Sequence, residues 1–169
     1  MESLGPVASA TVSDLADGTP RPEPERLIVV ARLERPQEPG VAPRYLLVRW
    51  RDWPPPALLS VEAPTTPEAC AAAIEETLAY RLGVRSIERP LLAETRTPAR
   101  MRRGLRGGEG VGWLRAAAVR VEGDPQPDAL LEAVLALPLA EALSALESDV
   151  ERQLFIEGAR LLGDGTPRS

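Results

Sequence analysis

The stretch VEAPTTPEACAAAIEETLAYRLGV, Val61 to Val84, decides the fold. Its middle reads as a helix with both ends marked. Thr66 is placed to cap the N-terminus, and Pro67 suits the first helical position because its missing N–H would find no partner there anyway. Glu68 complements the positive end of the helix dipole. Gly83 supplies the left-handed residue on which such helices end. Helical spacing puts Cys70, Ile74, Thr77 and Leu78 on one side, the expected core side. Glu68 and Glu75 are seven positions apart and project together away from that side, while Glu76 points in a third direction.

Upstream of this helix the pattern is that of strands. RLIVVARL (26–33) is short, aliphatic and β-branched, as expected of a strand buried on both faces. ERPQEPGVAP reads as a turn from its Pro and Gly, and RYLLVRW (44–50) as a second strand, so the two form an expected hairpin. RDWPPPALLS is barred from helix by its three consecutive prolines. Residues 1–24 are rich in Pro, Ser, Thr, Gly and acid and read as a disordered tail. The folded domain is expected over 25–163, with a second short tail at 164–169.

Downstream, a strand is expected around Leu91 to Thr95 and another over WLRAAAVRVEG (113–123). PARMRRGLRGGEGVG between them reads as a loop rich in Gly and Arg. DALLEAVLALPL admits either helix by propensity or strand by its length and Pro138. LAEALSAL and DVERQLFIEGARLL read as helices, the second capped by Ser148 or Asp149. This order predicts an α+β class, with helices flanking a mixed sheet.

Composition removes several kinds of chemistry. The chain has no histidine, so Ser-His and Cys-His nucleophiles and His-ligated metals are out. A single cysteine, Cys70, rules out an intramolecular disulfide and a cysteine-cluster zinc site, and its place on the apolar helix side suits a small core residue. Every one of the 20 basic residues is arginine, which removes lysine Schiff bases and the P-loop lysine. Carboxylates, guanidinium groups and backbone remain, which points to metal-assisted phosphate chemistry or to no chemistry. A net charge of −5 gives no electrostatic pull toward nucleic acid or acidic lipid. No run of residues has the length and apolarity of a membrane span, and no basic, apolar leader opens the sequence, so a cytoplasmic location is the expectation. The richness in Arg, Ala, Pro and Gly suggests a GC-rich bacterial genome.

The region YLLVRWRDWPPPALLSVEAPTTPEACAAAIEETLAYRLGV resembles a Nudix (MutT-like) domain. Leu46 to Trp50 matches the family's strand, and Trp53 with Pro54 stands at its W-x-LP. Val61 and Glu62 match its VE, Thr66 to Ala69 its TPEEA, and Gly83 with Val84 its closing glycine-aliphatic pair. The back half fits as well, with Leu137 to Leu139 standing in for a W-V-P-L-like run. The resemblance spans roughly Arg26 to Leu162 and implies an α/β/α sandwich around a mixed sheet. It also implies hydrolysis of nucleoside diphosphate derivatives with Mg²⁺ or Mn²⁺.

The departures fall on the catalytic positions. The motif is G-x5-E-x7-R-E-U-x-E-E-x-G-U. Counted back from Gly83, its arginine falls on Glu76 and its helix glutamates on Thr77, Tyr80 and Arg81. Its earlier glutamate falls on Glu68 and its first glycine on Glu62. Counting forward from Val61–Glu62 shifts the register by three residues and restores no paired glutamates. Glu68 and Glu75 stand about 10 Å apart along the axis at 1.5 Å per residue, too far to ligate one ion together. The remaining catalytic and metal candidates are Glu75 and Glu76, completed by a loop acid such as Glu62 or Glu109.

The other candidates are for ligand binding. Arg100, Arg102, Arg103 and Arg106 lie among glycines with no acid between Glu94 and Glu109, and guanidinium forks beside free N–H groups suit phosphate or carboxylate. A solvated hairpin tip is the alternative reading of the same residues. Trp50, Trp53 and Trp113 are half of the six aromatics; Trp53 is the candidate to stack on a base, and core packing is the alternative for each. A degraded motif on this fold suits a nucleotide-type ligand-binding or protein-interaction module, with a divergent hydrolase as the other reading.

Overall fold

The computed structural model describes residues 25–35, 38, 40–103 and 107–164, without the side chains of 100–103 and 107–111. Both expected tails lie outside these residues, except for Asp164. The chain begins with β1 (Glu25–Leu33), β2 (Arg44–Trp50), β3 (Trp53–Ala57) and β4 (Leu59–Glu62), then enters α1 (Pro67–Leu82). Next come β5 (Arg85–Ser86), β6 (Leu91–Leu92), β7 (Thr97–Arg103), β8 (Gly107–Glu122) and β9 (Leu131–Leu137). The short α2 (Leu139–Ala145) and the longer α3 (Asp149–Leu161) follow.

The centre of the mixed sheet is β1, which runs parallel to β8 from Glu25↔Trp113 to Leu33↔Val121. Its other edge is divided. Arg32 and Leu33 pair with β2, and Arg26 to Val29 pair with β4. The expected β1–β2 hairpin is therefore splayed, because β4 enters between the two strands and takes most of the β1 edge. β2 leaves that edge to pair with β9 from Tyr45↔Leu137 to Trp50↔Leu131. This pairing fixes the ambiguous DALLEAVLALPL as strand: helix propensity yields to an open sheet edge that needs a partner.

Two further expectations are corrected. The segment read as an arginine-rich loop is mostly ladder, with β7 and β8 pairing from Thr97↔Leu114 to Arg103↔Gly107. Its glycines hid a long hairpin whose strands differ in composition from ordinary β sequence. The strand expected over Leu91 to Thr95 shrinks to Leu91–Leu92, with Ala93 N–H adding one bond to the Ala116 carbonyl. The three prolines of 54–56 lie in β3, paired with β2 only through Val48↔Ala57 and Trp50↔Trp53. Prolines donate no ladder bond, so this strand suits an edge.

Side chains of β1 alternate between two cores. Leu27, Val29, Ala31 and Leu33 pack with Ile74, Leu78 and Leu82 of α1. Ile28 and Val30 pack on the opposite face with Leu154, Phe155 and Ala159 of α3 and Ala142 of α2. This is the expected α/β/α sandwich. Gly158 sets its thickness on the α3 side: a Cβ there would lie 2.5 Å from Val30 Cγ2, so only glycine lets the helix come this close. Among the described residues no helix is long and apolar enough to cross a membrane.

Candidate functional site

The caps predicted for α1 are both present. Thr66 Oγ1 accepts from Ala69 N–H at 3.1 Å, and Gly83, with φ of 69°, donates its N–H to Ala79 O. Cys70, Ala71, Ile74, Leu78 and Leu82 are buried. Thr77, expected in the core, is only half-buried and instead lines a cleft. The Cys70 thiol donates to Pro64 O at 3.4 Å, and burial raises its pKa, so it stays a thiol.

The cleft has a volume of about 450 Å³ and lies between α1, β4 and the adjoining ends of β1 and β2. From the helix it receives Glu76, Thr77, Tyr80 and Arg81, from β4 Ser60 and Glu62, and from the other strands Arg26 and Trp50. Thr77, Tyr80 and Arg81 are the positions on which the motif glutamates fall when the motif is counted back from Gly83. The cleft thus gathers what stands at those positions: a hydroxyl, a phenol and a guanidinium.

The three acids of α1 separate. Glu75 accepts from the Ser86 hydroxyl at 2.6 Å and so faces β5. Glu68 lies 3.6 Å from Arg89. Their shared direction, read from the seven-residue spacing, is the β5–β6 side of the helix. Glu76 alone goes to the cleft, where Glu62 joins it. Of the metal candidates, then, Glu62 and Glu76 line one cavity and Glu75 points elsewhere. The side chain of Glu109, on β8, lies outside the described ones.

Mg²⁺ requires hard oxygen donors near an octahedron. Among the described residues no group of three or more carboxylates or thiolates comes together. The cleft offers two carboxylates together with two guanidinium groups, and this donor set does not fit a divalent cation.

Arg81 is the best-anchored group in the cleft. Its Nη1 donates to Asp128 at 2.5 Å, and the guanidinium lies 5.5 Å from the Trp50 ring centroid and 5.2 Å from that of Tyr80. Burial opposes ionisation of Asp128, but the Arg81 bond and the Leu130 and Leu131 amides outweigh it, so its pKa falls below the usual value. The partner of Arg81 is a loop acid 47 positions away, which no local pattern could reveal. Arg26 holds Ser60 Oγ through Nε at 3.2 Å and Nη2 at 3.0 Å. Among the described residues it has no carboxylate partner.

A second cavity, of about 630 Å³, opens at the N-terminus of α1 and shares Glu62 with the first. Its charges are internally matched: Glu25 meets Arg96 at 2.8 Å and Arg115 at 3.9 Å. Sequence spacing did not single out Glu25, Arg26 or Arg115, since their meeting depends on the β1–β8 and β1–β4 pairings.

Of the remaining ligand candidates, Trp53 lines neither cavity. Arg100, Arg102 and Arg103 lie in β7, their side chains outside the described ones, and Arg106 is outside the described residues altogether. Trp53 is 61% exposed on β3. At that exposure its ring is not a core residue, and it sits on a strand paired with β2 alone among the described residues. Trp50 is half-buried under Arg81.

No family model matches the sequence, and no curated protein matches it either. Solved structures do match the fold. A Listeria monocytogenes protein assigned as a NUDIX hydrolase aligns with a TM-score of 0.62 at 12% identity, over 83% of this chain and 96% of that one. The NUDIX domain of Shewanella oneidensis NrtR, complexed with ADP ribose, aligns with a TM-score of 0.51 at 19% identity, over 88% and 96%. A C. elegans Ap4A hydrolase aligns with a TM-score of 0.54 at 12% identity, over 83% and 98%. With its mixed sheet and three flanking helices, the chain has the Nudix fold.

Proposed function

We propose that this chain is a Nudix-fold protein with a degraded hydrolytic motif, which binds a nucleotide-type ligand without cleaving it. The observation that carries this reading is the content of the α1 cleft. Counted back from Gly83, the motif glutamates fall on Thr77, Tyr80 and Arg81, all three line the cleft, and Arg81 is held there by Asp128. A guanidinium at such a position repels the cation that a glutamate would attract. Cleavage of a pyrophosphate in this family relies on cations to neutralise phosphate and activate water. A relative of the same fold, the NrtR domain, is complexed with ADP ribose, which makes that compound the first ligand to try.

Calorimetric titration with ADP-ribose, with and without Mn²⁺, tests the reading alongside an assay for phosphate products. Binding with no turnover is expected. A divergent hydrolase is the second reading, favoured by the joint presence of Glu62 and Glu76 on one cleft. Product release that requires Mg²⁺ or Mn²⁺ and fails in Glu76→Gln would establish it.

A further inference from the structure

The α1 cleft carries its own fixed positive charge, and we propose that it takes the phosphate groups of its ligand on Arg26 and Arg81, with no divalent cation. This rests on the reading of the chain as a nucleotide-type binder and specifies how the phosphates are held. Arg81 uses Nη1 on Asp128, and its planar fork has further N–H groups to offer. Trp50 and Tyr80 hold that plane in place, so little side-chain entropy is lost when an anion arrives. Arg26 is already oriented by two bonds to the neutral Ser60 hydroxyl, and among the described residues no carboxylate forms an ion pair with it. A pre-positioned guanidinium whose fork is not taken up by an ion pair among the described residues can bond a phosphate oxygen with charge assistance.

Two acids face the same cavity, Glu62 and Glu76, and both are exposed. They divide the two ways of holding a phosphate. If a divalent cation bridged protein and phosphate, these carboxylates would be its anchors, and neutralising them would weaken binding. If the arginines hold the phosphate directly, the same carboxylates repel it, and neutralising them strengthens binding.

The experiment is titration of the full chain with ADP-ribose in EDTA and in Mg²⁺, for the wild type, Glu62→Gln/Glu76→Gln and Arg26→Ala. The arginine mode is supported by equal affinity in EDTA and Mg²⁺, several-fold tighter binding by the double glutamine variant, and loss of about tenfold or more in Arg26→Ala. Binding that appears only with Mg²⁺, or that the glutamine variant loses, overturns the inference and leaves nucleotide binding standing. Absence of binding under every condition overturns both. The glutamine changes alter exposed side chains, so they remain informative even if Arg26→Ala fails to fold.

Discussion

The two faces of the sheet treat their polar groups in opposite ways. On the α3 face, the groups around Arg32 are saturated. Arg32 donates to Glu34 at 2.5 Å, to Asp164 at 2.9 Å and to the Leu162 carbonyl at 3.1 Å. The Tyr45 hydroxyl also donates to Asp164, and its ring packs edge-on against Phe155 at 4.9 Å. Burial foremost, and the Asp164 carboxylate next to it, push the Tyr45 pKa upward. On the α1 face, Arg26 has a hydroxyl for company, Glu62 and Glu76 look into open volume, and Tyr80 is 73% exposed. Saturated groups hold a fold together; unsaturated ones at a cavity are available to something else.

The sharpest way to break this comparison is to test the packing claim on the α3 face. Gly158→Leu should destabilise the protein by about 3 kcal/mol or more, because Val30 occupies the space the new side chain needs. Urea denaturation reads the change. A variant as stable as wild type would mean that α3 stands off the sheet and that the two faces are not differently packed.

Arg32→Leu should cost less, about 2 kcal/mol, through Asp164 left without its cation and Glu34 left with Arg120 alone, at 3.7 Å. The same denaturation measurement checks it, with ADP-ribose affinity as control. Loss of affinity without loss of stability would reverse the roles assigned to the two faces.

The sequence revealed one side of this contrast better than the other. Both caps of α1, the two-faced burial of β1 and the Ser148 cap of α3 follow from local rules, and all are present. The cleft was half legible. Counting back from Gly83 drew attention to Thr77, Tyr80 and Arg81, which line the cleft, but nothing local pointed to Asp128 or Arg26. Those residues reach the cleft through strand pairings and a loop return, which depend on the whole topology. The β7–β8 hairpin was missed for a related reason: a Gly- and Arg-rich ladder carries no alternation of apolar and polar residues to announce it.

Asp128→Asn sharpens the cleft side of the comparison. At pH 7 the variant should lose about 1 kcal/mol, by weakening the charge-assisted bond that anchors Arg81. The folded pKa of Asp128 lies below its ordinary 3.8, so its contribution is complete above that value and is lost as pH falls through the folded one. The gap between wild type and variant should therefore close in acid. Denaturation curves from pH 7 down to about pH 3 check this. A gap independent of pH would mean that Asp128 acts through shape and not through charge.

The smallest expected effect concerns an acid on the packed face that has no cation partner among the described residues. Glu151, in the first turn of α3, accepts from Leu58 N–H at 2.9 Å. Burial raises its pKa, and the Leu58 bond only partly offsets that rise. A carboxyl whose folded pKa is raised favours the fold most when protonated, so its contribution is present at low pH and declines as pH rises through the folded value. Glu151→Gln keeps an acceptor for Leu58 and removes the buried charge. The variant should therefore match wild type near pH 4 and gain modestly on it by pH 7, as read from the denaturation midpoint at each pH. A gain already present at low pH would show that side-chain packing, not charge, distinguishes the two. A loss at pH 7 would show that the Leu58 amide needs a full negative charge, and Glu151 would then belong with the saturated groups around Arg32.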